Sequence, residues 1–396
     1  MIPSVLVPIS HKELLQLFRI NSDKGDKIQE FEQKFSEYVR CEQAIATSSG
    51  IAALYTLLKA SGLRRGDEIV VPAYTCESVP RLVMDMGLRI NFVDIDKETF
   101  NISIEDLNSK ISRKTKAIIA IHMFGNPCEM DEIMEIASNY NAVVIEDSAQ
   151  CIGAEYKGKK TGTIGDAAFF SLNEGKPITT MGGGFIVTND KRVAEKSRKI
   201  IDNFKEFNIL KKIGVVSRLY AYYMLKNQFY YDLIYSMIES RRNNRRDKLK
   251  LANNLKFKFR YTDLQASIGL IQLSNLEKFN NVRIKNAKFL MDHLSIEGVH
   301  IPKISKQSKP IFLRFPLWFE NITKEKRDNL IRELRESGID APVAYPNSLP
   351  KFFLSLDGFP NTEEVIIKTI TLPVHPYVKE NDLEKAVSII KKFIGA

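Results

Sequence analysis

The sequence predicts an α/β protein with a mainly parallel seven-stranded sheet covered by helices in a large domain, followed by a smaller C-terminal α+β domain. Three observations carry that prediction. Short apolar runs alternate with helix-length amphipathic segments through the first half of the chain, the pattern of a parallel sheet clothed on both faces. Small, acidic and basic residues recur at the carboxyl ends of those runs, where ligands bind in such sheets. Past residue 255 the rhythm gives way to long helical stretches around few strand-like runs, so the large domain is set at 1–255 and the small one at 256–396.

The elements follow in order. Residues 28–39 place Ile28, Phe31, Phe35 and Tyr38 at helical spacing. A strand at 44–47 runs into the turn Ser48, Ser49, Gly50 and a helix over 51–60, and small residues at a helix N-terminus leave N–H groups free for a phosphate. Further strands are expected at 68–71, 90–93, 117–121, 142–145, 167–171 and 184–188, with helices near 78–86 and 130–140. Ser49, Tyr74, His122, Asp147 and Lys176 lie at or just beyond strand ends. In the C-terminal part, helices are expected at 262–277, 324–337 and 381–393, and a strand-like run at 311–319.

Composition narrows the class. A chain of 396 residues with 44% hydrophobic residues can bury a large core. Four cysteines without CxxC spacing and no leader-like opening give the expectation of a reduced, cytoplasmic protein, and no apolar run reaches membrane-spanning length. The net charge of +10 is concentrated: residues 205–260 carry fourteen Lys or Arg against four acids, so the remainder is close to neutral. Two readings of this basic, aromatic segment at 205–255 compete. Either its aromatics pack in a dimer core while 241–250 is a solvated face, or tyrosines and arginines rest on the anionic inner face of a membrane. Nucleic acid is not expected, since no recognised binding module accompanies the charge. Neither is a metal, because no histidine pairs with cysteine or a second histidine at ligand spacing.

Chemistry becomes specific between residues 146 and 184. Asp147 follows one strand, Lys176 follows the next, and three glycines come after. If the strands are neighbours, both side chains enter one crevice. A lysine and a carboxylate converging beside a phosphate-suited turn is what pyridoxal 5'-phosphate requires, with the lysine forming a Schiff base and the acid keeping the pyridine nitrogen protonated.

The order and spelling of eight segments extend this: SSGIAAL (48–54), GDEIVVPAYT (66–75), HMFGNPCEMDEI (122–133), EDSAQCIGAEYKGKKTGTIGD (146–166), FSLNEGK (170–176), GGGFIVTND (182–190), RYTDLQASIGLIQL (260–273) and LPVHP (372–376). From residue 28 to 375 the chain resembles the DegT/StrS-type nucleotide-sugar aminotransferases, fold-type I pyridoxal phosphate enzymes. The resemblance implies a homodimer with active sites shared at the interface. It matches Lys176 to the Schiff-base lysine, Asp147 to the partner of the pyridine nitrogen, Gln150 to a contact of the ring hydroxyl, Ser171 to a phosphate ligand, and Gly50 with Ile51 to the phosphate turn. Blander roles stand beside these: a helix cap for Asp147, a buried structural amide for Gln150, a strand-ending serine for Ser171. His122 either lines the site or is structural, and His375 is taken as structural.

Four positions depart from the family pattern. Ile51 stands where a hydroxyl is usual, Cys76 where an aromatic ring stacks on the cofactor, Lys258 where a partner-chain asparagine reaches the phosphate, and Ala344 where a histidine often precedes the YP pair. The resemblance implies an amino transfer, expected from L-glutamate, to a nucleotide-linked keto-sugar by a ping-pong mechanism. Alternatives are a sensor or regulatory protein that keeps the fold, and the family's sugar dehydratase branch, against which Lys176 argues because that branch has histidine there.

Overall fold

The structure, a computed structural model, describes residues 1–16, 26–225 and 257–395. In chain order the strands are β1 (Gln43–Thr47), β2 (Glu68–Pro72), β3 (Arg89–Val93), β4 (Thr115–Ile121), β5 (Val143–Asp147), β6 (Glu155–Tyr156), β7 (Lys159–Lys160), β8 (Ala167–Ser171), β9 (Gly184–Thr188), β10 (Val299–His300), β11 (Ser308–Lys309), β12 (Phe315–Phe319) and β13 (Thr369–Leu372). Seven of them form one sheet in the order β1-β9-β8-β5-β4-β2-β3. Pairing is parallel from β8 through β5, β4 and β2 to β3, while β9 runs antiparallel to both β8 and β1. All seven expected strands are present in this sheet, which is mostly parallel as expected.

Burial explains why these runs are strands. β8 and β9, spelled AAFFS and GFIVT, are buried at every position, as strands covered on both faces must be. β5 reads VVIED, so its last two residues carry charge into a buried setting. Asp147 is thus the final residue of its strand, in register with Phe169 of β8. Apolar side chains of the helix Gly50–Ala60 pack under one face of the sheet, and those of the helix Met130–Tyr140 under the other.

Two elements differ from expectation. The helix expected at 262–277 continues as Asp263–Leu294, because Phe279, Ala287, Leu290 and Leu294 prolong a buried face at helical spacing. Its first half packs against the core of the large sheet, and its second half against a separate core around β12 and β13. The run at 311–319 is a strand only from Phe315. Before that, Phe312 has φ of 50°, and Ile311 and Leu313 donate their N–H groups to the carbonyls of Gly125 and Phe124 rather than to a ladder.

β10, β12 and β13 form a small antiparallel sheet, and β11 pairs with β6 to tie the C-terminal part to the large sheet's connection. The N-terminus joins the C-terminal core: Ile2 exchanges backbone hydrogen bonds with Gly338 and Asp340. Among the described residues no helix is long and apolar enough to cross a membrane. Of the basic segment, the described part forms the helix Ile209–Met224, whereas Leu233, Arg241, Arg242, Arg245 and Arg246 lie outside the described residues.

Candidate active site

The carboxyl ends of β5 and β8 and the N-terminus of the helix Gly50–Ala60 surround a cleft of about 380 Å³. Gly50, Ile51, Cys76, Asp147, Ser171 and Lys176 all line it. Gln150 and Lys258 are not among its lining. Gln150 is a buried amide that donates to the Tyr345 hydroxyl at 3.1 Å, and Lys258 holds its Nζ 4.5 Å from the centre of the Tyr55 ring.

Asp147 and Lys176 shape each other's protonation. Burial drives the Asp147 carboxyl above its ordinary value, and the charge of Lys176, the N–H of Ala149 at 3.0 Å and His122 oppose this without cancelling it. Burial likewise pushes the Lys176 ammonium below the usual lysine range, with Asp147 and Cys76 pulling it back and Arg314 adding to the depression. A desolvated carboxyl favours a ligand that brings it a cation, and a desolvated amine favours the neutral, nucleophilic form.

The turn at Ser49 and Gly50 is built by close approach. Ser49 caps the helix by accepting from the N–H of Ala52, leaving the first N–H groups at the cleft. A Cβ on Gly50 would come 2.9 Å from Cβ of Ser171, and one on Gly184 would come 2.8 Å from the nitrogen of Gly50. Glycine is needed at both places for the turn to abut β8 and β9.

The loop after Lys176 is held from several sides. Arg283, fully buried, donates to the carbonyl of Pro177 at 2.7 Å, and burial pushes its guanidinium down to about 10. The Tyr261 hydroxyl donates to Thr180 Oγ1 at 2.9 Å, and Gln265 Nε2 to the carbonyl of Gly182 at 3.0 Å. Gly182 and Gly183 take φ of 114° and 128°, where a side chain would be strained. The glycine triad therefore supplies backbone geometry.

Behind Asp147 stands a second buried system. Glu146 accepts from the N–H groups of Gly162, Ile164 and Gly165, each at 2.7 Å. The N–H of Cys128 donates to Nδ1 of His122 at 3.0 Å, so the ring proton sits on Nε2 and is donated to Glu146 Oε2 at 2.9 Å. Burial opposes the Glu146 charge, but His122 and these N–H groups outweigh it and hold the carboxyl below its ordinary value. His122 is structural and does not line the cleft. His375 is also structural, donating from Nε2 to the carbonyl of Pro3 at 2.8 Å and accepting from the N–H of Tyr377.

The family model of the DegT/DnrJ/EryC1/StrS aminotransferases matches residues 12–391. The chain belongs to this aminotransferase family. It is a pyridoxal phosphate-dependent enzyme of the sugar aminotransferase family. It is 35% identical over 380 residues to an uncharacterized protein of Methanocaldococcus jannaschii, covering 94% of this chain and 91% of the relative. It is 31% identical over 377 residues to the GDP-perosamine synthase of Escherichia coli, with 94% and 91% covered. Among solved structures, the aminotransferase of Psychrobacter cryohalolentis superposes with a TM-score of 0.81 at 26% identity over 98% of both chains.

The residues of this aminotransferase fit the family's cofactor. A buried carboxyl without a full counter-charge, a desolvated lysine and the first turn of a helix share one cleft, which answers the ring nitrogen, the aldehyde and the phosphate of pyridoxal phosphate in turn. Among the described residues no group of three or more His, Cys, Asp or Glu could hold a metal ion. Sequence reasoning placed helical aromatics in this segment but missed that the helix Ile209–Met224 borders the site: Lys211 and Arg218 line the cleft with Phe207 and Phe259. The signal was present as Lys211, Val215, Arg218 and Tyr222 at helical spacing, masked by the charge of the whole segment.

Proposed function

We propose that this aminotransferase moves the amino group of L-glutamate to a keto carbon of a nucleotide-linked sugar, with Lys176 as covalent anchor and proton carrier. The observation that carries the reading is the sharing of one buried cleft by Lys176 and Asp147 at the ends of adjacent strands. Bound pyridoxal phosphate supplies an electron sink and keeps the amino group between the two substrates. Asp147 holds positive charge at the ring nitrogen. Gly50 and Ile51 present backbone N–H groups, and the Ser171 hydroxyl a further donor, to the phosphate. With its pKa lowered by burial, the Lys176 amine would carry the proton between the substrate carbon and C4′ of the cofactor, in one direction with L-glutamate and in the other with the keto-sugar.

The substrate class draws support from relatives named for GDP- and dTDP-linked amino sugars, a GDP-perosamine synthase and a dTDP-linked amino-sugar transaminase of Aneurinibacillus thermoaerophilus, which is 28% identical over 374 residues. Lys258 lies outside its own chain's cleft, which suits service to a second copy in a homodimer. The test is order of release. Incubation with L-glutamate alone should yield one equivalent of 2-oxoglutarate per active site, and steady-state plots with a nucleotide keto-sugar should be parallel. Release of 2-oxoglutarate only when the sugar is also present would contradict the reading.

A further inference from the structure

The helix Ile209–Met224 buries Val215 and Leu219 against Ile9, Met181, Leu264 and Ile268. Lys211 and Arg218, about two turns apart on the flank of that face, both reach the cleft. Their surroundings differ. Arg218 is committed: Nε donates to the carbonyl of Gly214 at 3.2 Å, Nη1 to Glu174 at 3.0 Å and Nη2 to the carbonyl of Met181 at 2.6 Å. The last two bonds fasten the helix to the loop on either side of Lys176.

Lys211 has no such commitment. Its Nζ sits 3.1 Å from the centre of the Phe259 ring and 5.7 Å from that of Phe207. No carboxylate of the described residues acts on it. Burial first, and the charge of Lys205 second, press its ammonium below the ordinary lysine value. Aromatic faces orient a cation without neutralising it, so a partly desolvated ammonium here favours an anionic ligand.

The cleft extends from the helix N-terminus at Gly50 to Phe207, Lys211 and Phe259. The turn at Gly50 with Ser171 provides for a single phosphate at a helix N-terminus. Lys211 comes from a different element and stands with Phe207 and Phe259. We propose that Lys211 is the receptor for the diphosphate of the nucleotide-linked substrate, poised on Phe259 and Phe207 and kept in place by the Arg218 clamp. The inference rests on the reading of the protein as an enzyme of nucleotide-linked sugars.

The test is calorimetric titration of the cofactor-loaded enzyme with GDP, UDP and dTDP, beside titration of the cofactor-free enzyme with pyridoxal phosphate. The wild type should bind at least one of the nucleotides. Lys211→Gln should weaken that nucleotide by about tenfold or more, as loss of a charge-assisted hydrogen bond does, and leave pyridoxal phosphate affinity unchanged. Lys211→Arg should retain most of the nucleotide affinity. Unaltered nucleotide binding in Lys211→Gln would overturn the inference while leaving the substrate class intact. A loss confined to pyridoxal phosphate would overturn it by giving Lys211 to the cofactor's phosphate. If the wild type bound none of the three nucleotides, the reading of the substrate class would fail and the inference with it.

Discussion

Within the cleft, Asp147 and Lys176 are each destabilised in charged form by the same burial, and each is the other's nearest remedy. Such a pair is poised to exchange its mutual attraction for a ligand that carries both a cation and an electrophile. Not every position is tuned that way. Ile51 stands in the first turn of the helix with an apolar side chain that packs toward the core beneath the sheet, so its N–H is the polar group it has for the cleft. Ile51→Thr adds a hydroxyl there and should tighten pyridoxal phosphate about five- to tenfold, measured by equilibrium dialysis of the cofactor-free protein. Unchanged or weaker binding would show that the phosphate sits elsewhere. Asp147 and Ser171 were legible in the sequence because they end β5 and β8, and Lys176, five residues beyond β8, was legible from the spelling FSLNEGK. Gln150 was less so: whether an amide reaches a cleft or turns to Tyr345 depends on packing across nearly two hundred residues.

The elements hold these residues through buried polar contacts. β4 and β5 are neighbours in the sheet, and His122 just past β4 bonds to Glu146 on β5, while Glu146 gathers three N–H groups from the connection to β8. The arrangement fixes the path of the chain on both sides of Asp147. His122→Ala removes one donor from a buried carboxylate and should cost about 3 kcal/mol in urea unfolding. A change below about 0.5 kcal/mol, the scale of an ordinary surface substitution, would mean that water replaces the imidazole without penalty. Strand positions were readable from alternating apolar runs, but this support was not, because nothing local links His122 to Gly162. The extent of the helix Asp263–Leu294 was missed for a related reason. Its second half faces a different core, so its apolar stripe shifts direction and looks like the start of another element.

At the scale of the whole molecule, the two ends of the chain are joined through His375. Its imidazole is buried neutral between the carbonyl of Pro3 and the N–H of Tyr377, and burial pushes it down to about 4 from 6.5. The unfolded chain therefore binds a proton that the folded protein refuses between those values. Stability should be full above pH 6.5 and fall as pH drops toward 4, by about 3 kcal/mol for this group. Urea midpoints measured from pH 7 to 4.5 should show this slope, and His375→Gln should flatten it; an equal slope in the variant would assign the acid sensitivity to other groups. The basic segment shows where charge counting fails. It suggested either packing on a dimer core or contact with a membrane surface, yet its described helix borders the cleft, since only tertiary packing brings Lys211 into one cleft with Ser48 and Gly50. The central claim is that Lys176 is the residue to which pyridoxal phosphate becomes attached. Borohydride reduction of the cofactor-loaded enzyme, followed by proteolysis and mass spectrometry, should find the added phosphopyridoxyl mass on the peptide containing Lys176 and none in Lys176→Ala; attachment at another lysine, or undiminished attachment in that variant, would contradict the account.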